Sequence, residues 1–193
     1  MLEEIKKVEI PVFLNCLVGV RRWDIVLKND KIFLGSPIVK GCIWEYMKPM
    51  KGICLGTSHS EHPSLNSDCG VYAYKSIKPI SEYLSVSKGS LYGSVYLWGR
   101  VIEHEDGYRA EFAYPKDFQF SGCYICDVKD TNYGSWLFLD HWNLKILITF
   151  CSIKCLEVIY SSDSQLYNHN YSDVVNMIEL GNILKKLRVA YLT

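Results

Sequence analysis

Four of the eight cysteines in this 193-residue chain form two closely spaced pairs, and these pairs constrain the fold more than any other feature. The first is Cys123-Tyr124-Ile125-Cys126, and after residues 127–150 comes the second, Cys151-Ser152-Ile153-Lys154-Cys155. A C-x-x-C turn lets two thiolates face one ion, and structural zinc takes four ligands in a tetrahedron. The i, i+4 spacing of the second pair puts both sulfurs on one face of a helix. The pattern predicts a four-cysteine zinc site with no open position for catalysis.

Charge and hydropathy indicate the compartment and the class of partner. The N-terminus has no apolar signal segment, so we expect a cytoplasmic protein, whose clustered thiols bind metal more often than they form disulfides. The apolar run Leu144 to Phe150 is far shorter than the roughly 20 residues of a membrane-spanning helix, which favours no membrane association. Lys plus Arg and Asp plus Glu number 21 each. This balance argues against binding to nucleic acid through bulk positive charge alone.

Residues 1–120 predict mainly β structure. A short hairpin is expected from Trp23 to Leu34, and a clearer one from Ser94 to Tyr114, where Asp106-Gly107 supplies the positive φ angles of a tight turn. The hairpin end Glu103-His104-Glu105 is expected to be solvated. Apolar side chains alternate with Arg109 and Glu111 in the second strand, so one face should be buried and the other wet.

For residues 121–193 the sequence predicts a mixture of strands and helices. Leu147 to Phe150 indicates a strand and Ser152 to Tyr160 a helix, and Val174 to Leu192 has the apolar spacing of an amphipathic helix. We therefore predict an α+β protein in two parts: a β-rich domain, 1–120, and a zinc-stapled module with a C-terminal helix, 121–193.

The order of a knuckle, strands and a helix that carries the last two ligands resembles treble-clef zinc fingers. The closest likeness is to fingers that end in Phe-Cys-Ser-x-x-Cys, here Phe150-Cys151-Ser152-Ile153-Lys154-Cys155. The resemblance covers about residues 120–160 and departs at Asp127, where a Gly often follows the first knuckle. It implies a zinc ion that staples a fold, in a class of domains that binds proteins or nucleic acids.

A second metal site is an alternative in the irregular segment between residues 42 and 69. Cys54, His62 and Cys69 have the right chemistry for zinc, with Cys42 or His59 to complete the set. Their spacing matches no tight knuckle, so surface histidines and buried cysteines are the competing interpretation. With three protein ligands and a water, such a site would suit a zinc-dependent hydrolase.

Basic and aromatic residues suggest a binding surface. Arg21, Arg22, Trp23 and Trp44 lie in a stretch with a local excess of positive charge, which suits base stacking and phosphate contact. In a pocket, these tryptophans and Trp98 would line the walls while Arg100 or Arg109 contacts a phosphate. Ordinary surface charge over core tryptophans is the competing interpretation.

Most of residues 19–118 resemble a group of uncharacterised bacterial proteins. The likeness rests on Gly19-x-Arg21-x-Trp23, His62-Pro63, Cys69-Gly70-Val71-Tyr72-Ala73 and the run from Gly93 to Ala110, followed by Tyr114-Pro115. Many of those proteins have Cys-x-Cys-Gly where this chain has Ser67-Asp68-Cys69-Gly70. The resemblance implies an intracellular bacterial or mobile-element protein and carries no activity.

Three functions remain open from the sequence. The favoured one is a non-catalytic, zinc-containing recognition module that binds a protein or nucleic acid, the choice between them undecided. The first alternative is a small-molecule or nucleotide-binding protein with an aromatic and arginine pocket. The second is the zinc-dependent hydrolase of the Cys54 to Cys69 segment.

Overall fold

The computed structural model describes residues 16–29, 31–39, 41–54, 62–77, 91–120, 123, 126, 135–141, 144–150, 154–155, 158, 171–175, 186–187 and 191–192. Within these ranges the chain forms strands that pair in antiparallel fashion. Their bounds are β1 (Leu17–Lys28), β2 (Lys31–Gly35), β3 (Ile43–Trp44), β4 (Met50–Lys51), β5 (Val71–Tyr74), β6 (Leu91–Glu103), β7 (Gly107–Pro115), β8 (Gln119–Phe120), β9 (Ser135–His141), β10 (Leu144–Phe150) and β11 (Tyr171–Val175).

Four of these strands close a ring of hydrogen-bonded pairs. β1 pairs with both β5 and β6, and β7 pairs with the same two strands. The long strands β1 and β6, of 12 and 13 residues, each take part in more than one ladder. Their buried faces contribute to one core, which includes Trp23, Ala73, Leu97 and Ala110. The edge-to-face contact of Trp23 with Trp44, at a centroid distance of 5.6 Å, extends this core to β3.

β1 also joins the ring to the rest of the sheet. In its second half, Ile25 lies between Leu34 of β2 and Leu147 of β10. β10 pairs in turn with β9, and β9 with β11. Strands from both sides of residue 120 therefore share a ladder, and the division into domains at that residue stays a prediction.

Both predicted hairpins form. β1 and β2 pair from Lys28 and Lys31 outward, and Asn29 at the turn has a φ of 50°. β6 and β7 pair across the Asp106-Gly107 turn, with Glu103 opposite Tyr108. The first turn was predictable because Asn tolerates the left-handed region of backbone space. At the second turn the predicted positive φ angles are wrong, because neither Asp106 nor Gly107 has one.

The predicted α+β class with a C-terminal helix is wrong, because the described residues are rich in strands and contain no continuous helix. The segment predicted as a helix, Val174 to Leu192, starts with strand residues of β11. There Val174 and Val175 pair with Leu137 and Trp136 of β9. β-branched residues favour a pleated strand once a partner edge is available, and that tertiary pairing overrides the helical spacing. Helical backbone occurs at four described positions near the end, Lys186, Leu187, Tyr191 and Leu192.

Among the described residues, no helix combines the length and the apolar character that crossing a membrane requires.

Candidate functional site

Three cysteines from two separate parts of the chain meet at one point. The Sγ atoms of Cys123, Cys126 and Cys155 all lie within 4.8 Å of one another. Cys123 is buried, Cys155 is half-buried and Cys126 is exposed. The grouping brings together three of the four cysteines that the sequence predicts as metal ligands.

The spacing of these sulfurs fits a shared ion. Cys126 Sγ and Cys155 Sγ are 3.7 Å apart, whereas a disulfide would hold its sulfurs at about 2.05 Å. A tetrahedron with zinc–sulfur bonds of about 2.3 Å has sulfur–sulfur edges of about 3.8 Å. The donor set therefore has both the chemistry and the separation that a thiolate-bound zinc ion requires.

The strands deliver these cysteines to one place. Cys123 comes shortly after β8, which pairs with β6 of the ring, and Cys155 comes shortly after β10, which pairs with β1. Lys154 and Cys155 have helical backbone, in line with the helix predicted after the strand. Cys151 lies outside the described residues, so its role as fourth ligand stays a prediction.

Cys54, His62 and Cys69 are placed differently. Among the residues that the structure describes, they do not form a three-donor cluster of the kind seen at Cys123. The Sγ of Cys69 accepts a hydrogen bond from the backbone N–H of Ser64 at 3.3 Å and lies 3.0 Å from Ser67 Oγ. Since His59 lies outside the described residues, the second metal site stays a prediction.

The predicted tryptophans are core residues. Trp23 and Trp44 are 0% and 1% exposed, and Trp98, 9% exposed, stacks on Phe112 with a centroid distance of 5.9 Å. None of the three lines the cavity that Arg21, Arg22 and Arg109 line. Arg100 is exposed and also lies outside it.

The predicted arginines Arg21, Arg22 and Arg109, by contrast, all line one cavity of about 490 Å³. We call it the β1–β5–β7 cavity, because its floor consists of residues from these three strands. Tyr74 lies opposite both Val20 and Gly107, and Tyr72 lies opposite Arg109. Opposed residues, and residues two apart in a strand, share a face of the sheet. Arg22, two residues from Val20, therefore belongs to the same floor.

Two loops and a turn form the rim of the cavity. Pro37 and Ile38 come from the β2–β3 connection, and Asp68 comes from the segment before β5. His104, Glu105 and Asp106 come from the turn between β6 and β7. The volume lies within the range of about 300 to 1,000 Å³ that small-molecule sites occupy.

Arg109 is the buried cation of this site. It is 5% exposed, so the expectation of a wet face at this position is wrong. Its Nη1 donates to the carbonyl oxygens of Ser64, Ser67 and Cys69, and its Nε donates to Nε2 of His104 at 2.9 Å. The segment 64–69 lies over the strand, and strand alternation alone could not indicate this cover.

Arg21 is also desolvated. Its Nη1 donates to the carbonyl oxygen of Tyr72, its guanidinium lies 5.4 Å from the ring centroid of Trp44, and its buried Nε has no hydrogen-bond partner among the described residues. Burial lowers the pKa of Arg21 to about 10, an effect that nearby Cys42 and Tyr74 partly offset. Burial likewise lowers the pKa of Arg22, against the opposing effect of Asp24, which accepts from Arg22 Nη2 at 3.2 Å.

The sequence interpretation missed the tyrosines of the cavity, Tyr72, Tyr74 and Tyr108. The alternation in Val71-Tyr72-Ala73-Tyr74 was the available signal, because the small or branched residues are buried while Tyr72 is 43% exposed. The non-local pairing of β5 with β1 and β7 then brings these rings beside the arginines.

Comparison of the chain with protein-family models, with curated proteins and with solved structures finds no match. The resemblances to treble-clef fingers and to the bacterial group stay predictions.

Proposed function

We propose that this chain is an intracellular, zinc-stabilised recognition module. One zinc ion would be held by Cys123, Cys126 and Cys155, with Cys151 as the expected fourth ligand. The ion would tie the segment after β8 to the segment after β10. The β-rich ring would then supply the recognition surface.

The observation that carries the proposal is the convergence of three thiols within 4.8 Å. Thiolate ligands in a tetrahedral set suit zinc, or iron in a cluster, and disfavour the hard cations Mg²⁺ and Ca²⁺. The resemblance of residues 120–160 to treble-clef fingers supports zinc. An intracellular location belongs to the proposal because the ligands must stay reduced.

A structural role for the ion follows from the same ligand set. Four thiolates fill the tetrahedron and leave no position for a water or a substrate. Binding of the ion then contributes to folding, because the unfolded chain does not preform the site. Recognition belongs to the β-rich part, where the β1–β5–β7 cavity has the size of a ligand site.

Metal analysis of purified variants tests the proposal. We expect one zinc ion per chain in the natural sequence, and loss of most of that zinc in Cys126→Ser and in Cys155→Ser. Cys16→Ser is the matched control, because Cys16 lies next to β1 and outside the cysteine cluster. Absence of zinc from the natural protein, or its retention in the Cys126→Ser/Cys155→Ser double variant, would contradict the proposal.

A further inference from the structure

We infer that the β1–β5–β7 cavity binds a mononucleotide, with the phosphate beside Arg22 and Arg109 and the base against the tyrosines. The inference deepens the recognition part of the proposed function by naming its ligand class. It does not depend on the zinc ion, because none of the clustered cysteines lines the cavity.

Arg109 supplies the first requirement, a buried cation without a counter-ion. Within the described residues it makes no ion pair with a carboxylate, and its Nε and Nη1 donate only to neutral acceptors. Tyr72, whose ring centroid lies 6.0 Å from the guanidinium carbon, is a further neutral neighbour. A buried charge without a counter-ion is costly, so an anion beside Arg109 would be favoured.

Arg22 extends the basic part of the cavity. Arg22 belongs to the same floor as Arg109, and Tyr72 in the middle strand lies between them. Asp24 accepts from Nη2 of Arg22 at 3.2 Å. Arg21 lines the same cavity and donates to the backbone carbonyl of Tyr72. A phosphate with three acceptor oxygens matches such a group of guanidinium donors.

Three acidic residues, Asp68, Glu105 and Asp106, also line the cavity. Glu105 and Asp106 lie in the β6–β7 turn, and the carbonyl oxygen of Asp106 accepts from the N–H of Lys75 at 2.9 Å, which fixes that turn beside Tyr74. Carboxylates repel a phosphate but accept hydrogen bonds from ribose hydroxyls or a base amino group. The cavity therefore suits a ligand that combines an anionic group with hydrogen-bond donors.

The tyrosines supply the contact for a planar ring. Tyr72, which is 43% exposed, and Tyr74 lie on the same face of β5 in the floor of the cavity, and Tyr108 also lines the cavity. Aromatic side chains stack on bases without preference for sequence. A polymer would need a long basic groove, whereas this chain has a formal net charge of zero and a cavity bounded by Pro37 and Ile38. A single nucleotide fits these features better than a strand.

Isothermal titration with four 5′-ribonucleoside monophosphates, their nucleosides and inorganic phosphate tests the inference on the full-length, metal-analysed protein. We expect at least one monophosphate to bind with one-to-one stoichiometry. Its nucleoside should bind about tenfold or more weakly, because hydrogen bonds to charged groups contribute about 1.5 to 3 kcal/mol.

Two variants assign the binding to this cavity. Arg22→Gln and Tyr72→Leu should each weaken the monophosphate about tenfold, from loss of a charged donor and of a stacking surface. Arg100→Gln is the matched control, because Arg100 is exposed and outside the cavity, and it should leave binding unchanged. Arg109 is left intact because it holds the segment 64–69, and circular dichroism verifies that each variant folds.

The inference would be overturned by the absence of monophosphate binding at millimolar concentration, by inorganic phosphate binding as tightly as the nucleotides, or by full affinity retained in folded Arg22→Gln. Binding of a single-stranded oligonucleotide without mononucleotide binding would also overturn it. If the natural protein purifies without zinc and still binds the nucleotide, that result would support the inference while contradicting the zinc proposal. The two failures are therefore distinguishable.

Discussion

Tyr191 ties the end of the chain to the core through one hydroxyl group. The side chain is 2% exposed, its O–H donates to the carbonyl oxygen of Trp44, and the N–H of Leu34 donates to it at 3.2 Å. Its ring packs edge-to-face on Tyr46 at 5.2 Å. The helical spacing predicted that Leu187 and Leu192 lie on a buried apolar face. Leu187 is buried, whereas Leu192 is 37% exposed. The sequence did not single out Tyr191, because the partners of its hydroxyl group, in β2 and β3, lie far from it in the chain.

Replacement of Tyr191 by Phe should lower the free energy of unfolding at pH 7 by about 1 to 3 kcal/mol, because two buried backbone groups lose their partner. Burial also raises the pKa of Tyr191 above its usual value of 10.0. Above pH 10 the unfolded chain therefore loses this proton first, and the free energy of unfolding falls as the pH rises.

Urea unfolding from pH 7 to pH 11 measures both effects of Tyr191→Phe. The variant should show a shallower alkaline decline than the natural protein. Some decline should remain, because burial also raises the pKa values of Tyr46 and Tyr114. Equal alkaline slopes in the two proteins would contradict this account of Tyr191.

At the scale of elements, β6 depends on a close approach at Gly93. This residue lies opposite Arg21 of β1. A Cβ added there would lie 2.6 Å from the Cα of Phe118 and closer still to the carbonyl oxygen of Asp117. The turn 116–118 is held against β6, since the carboxylate of Asp117 accepts from the N–H of Ser94 at 2.8 Å. The contact is with backbone, so it cannot be relieved by a side-chain rotation.

Gly93→Ala should therefore destabilise the protein by about 1 to 3 kcal/mol through overpacking. Ser94→Ala is the matched control one residue away, where a Cβ is already present, and it should change stability by no more than about 0.5 kcal/mol. Chemical denaturation of both variants measures the difference. Equal stability of Gly93→Ala and the natural protein would show that the turn moves away without cost.

The same scale separates what the sequence could and could not predict. The hairpins at Asn29 and at Asp106-Gly107 were predictable because their turns are encoded locally. β11 was not, because Val174 and Val175 fit a helical spacing equally well and only the edge of β9 selects the strand. Arg109 belongs to the second kind, since the segment that buries it comes from about 40 residues earlier in the chain.

Over the whole molecule, β1 and the cysteine cluster make the long-range connections. β1 contributes one half to the closed ring and the other half to the ladder with β2 and β10. The cluster joins the chain after β8 to the chain after β10. Its cysteines were predictable because C-x-x-C is a local ligand spacing. The β1–β5–β7 cavity was not, because strand pairing alone brings its arginines and tyrosines together.

Zinc-edge X-ray absorption on the purified natural protein tests the central claim most directly. In the proposed site Cys123 and Cys126 supply two sulfurs, and Cys155 and Cys151, which follow the β9–β10 hairpin, supply the other two. We predict one zinc ion per chain with four sulfur neighbours at about 2.3 Å. A zinc ion with two or fewer sulfur neighbours, or one surrounded mainly by nitrogen and oxygen, would contradict the claim that this metal joins the two segments.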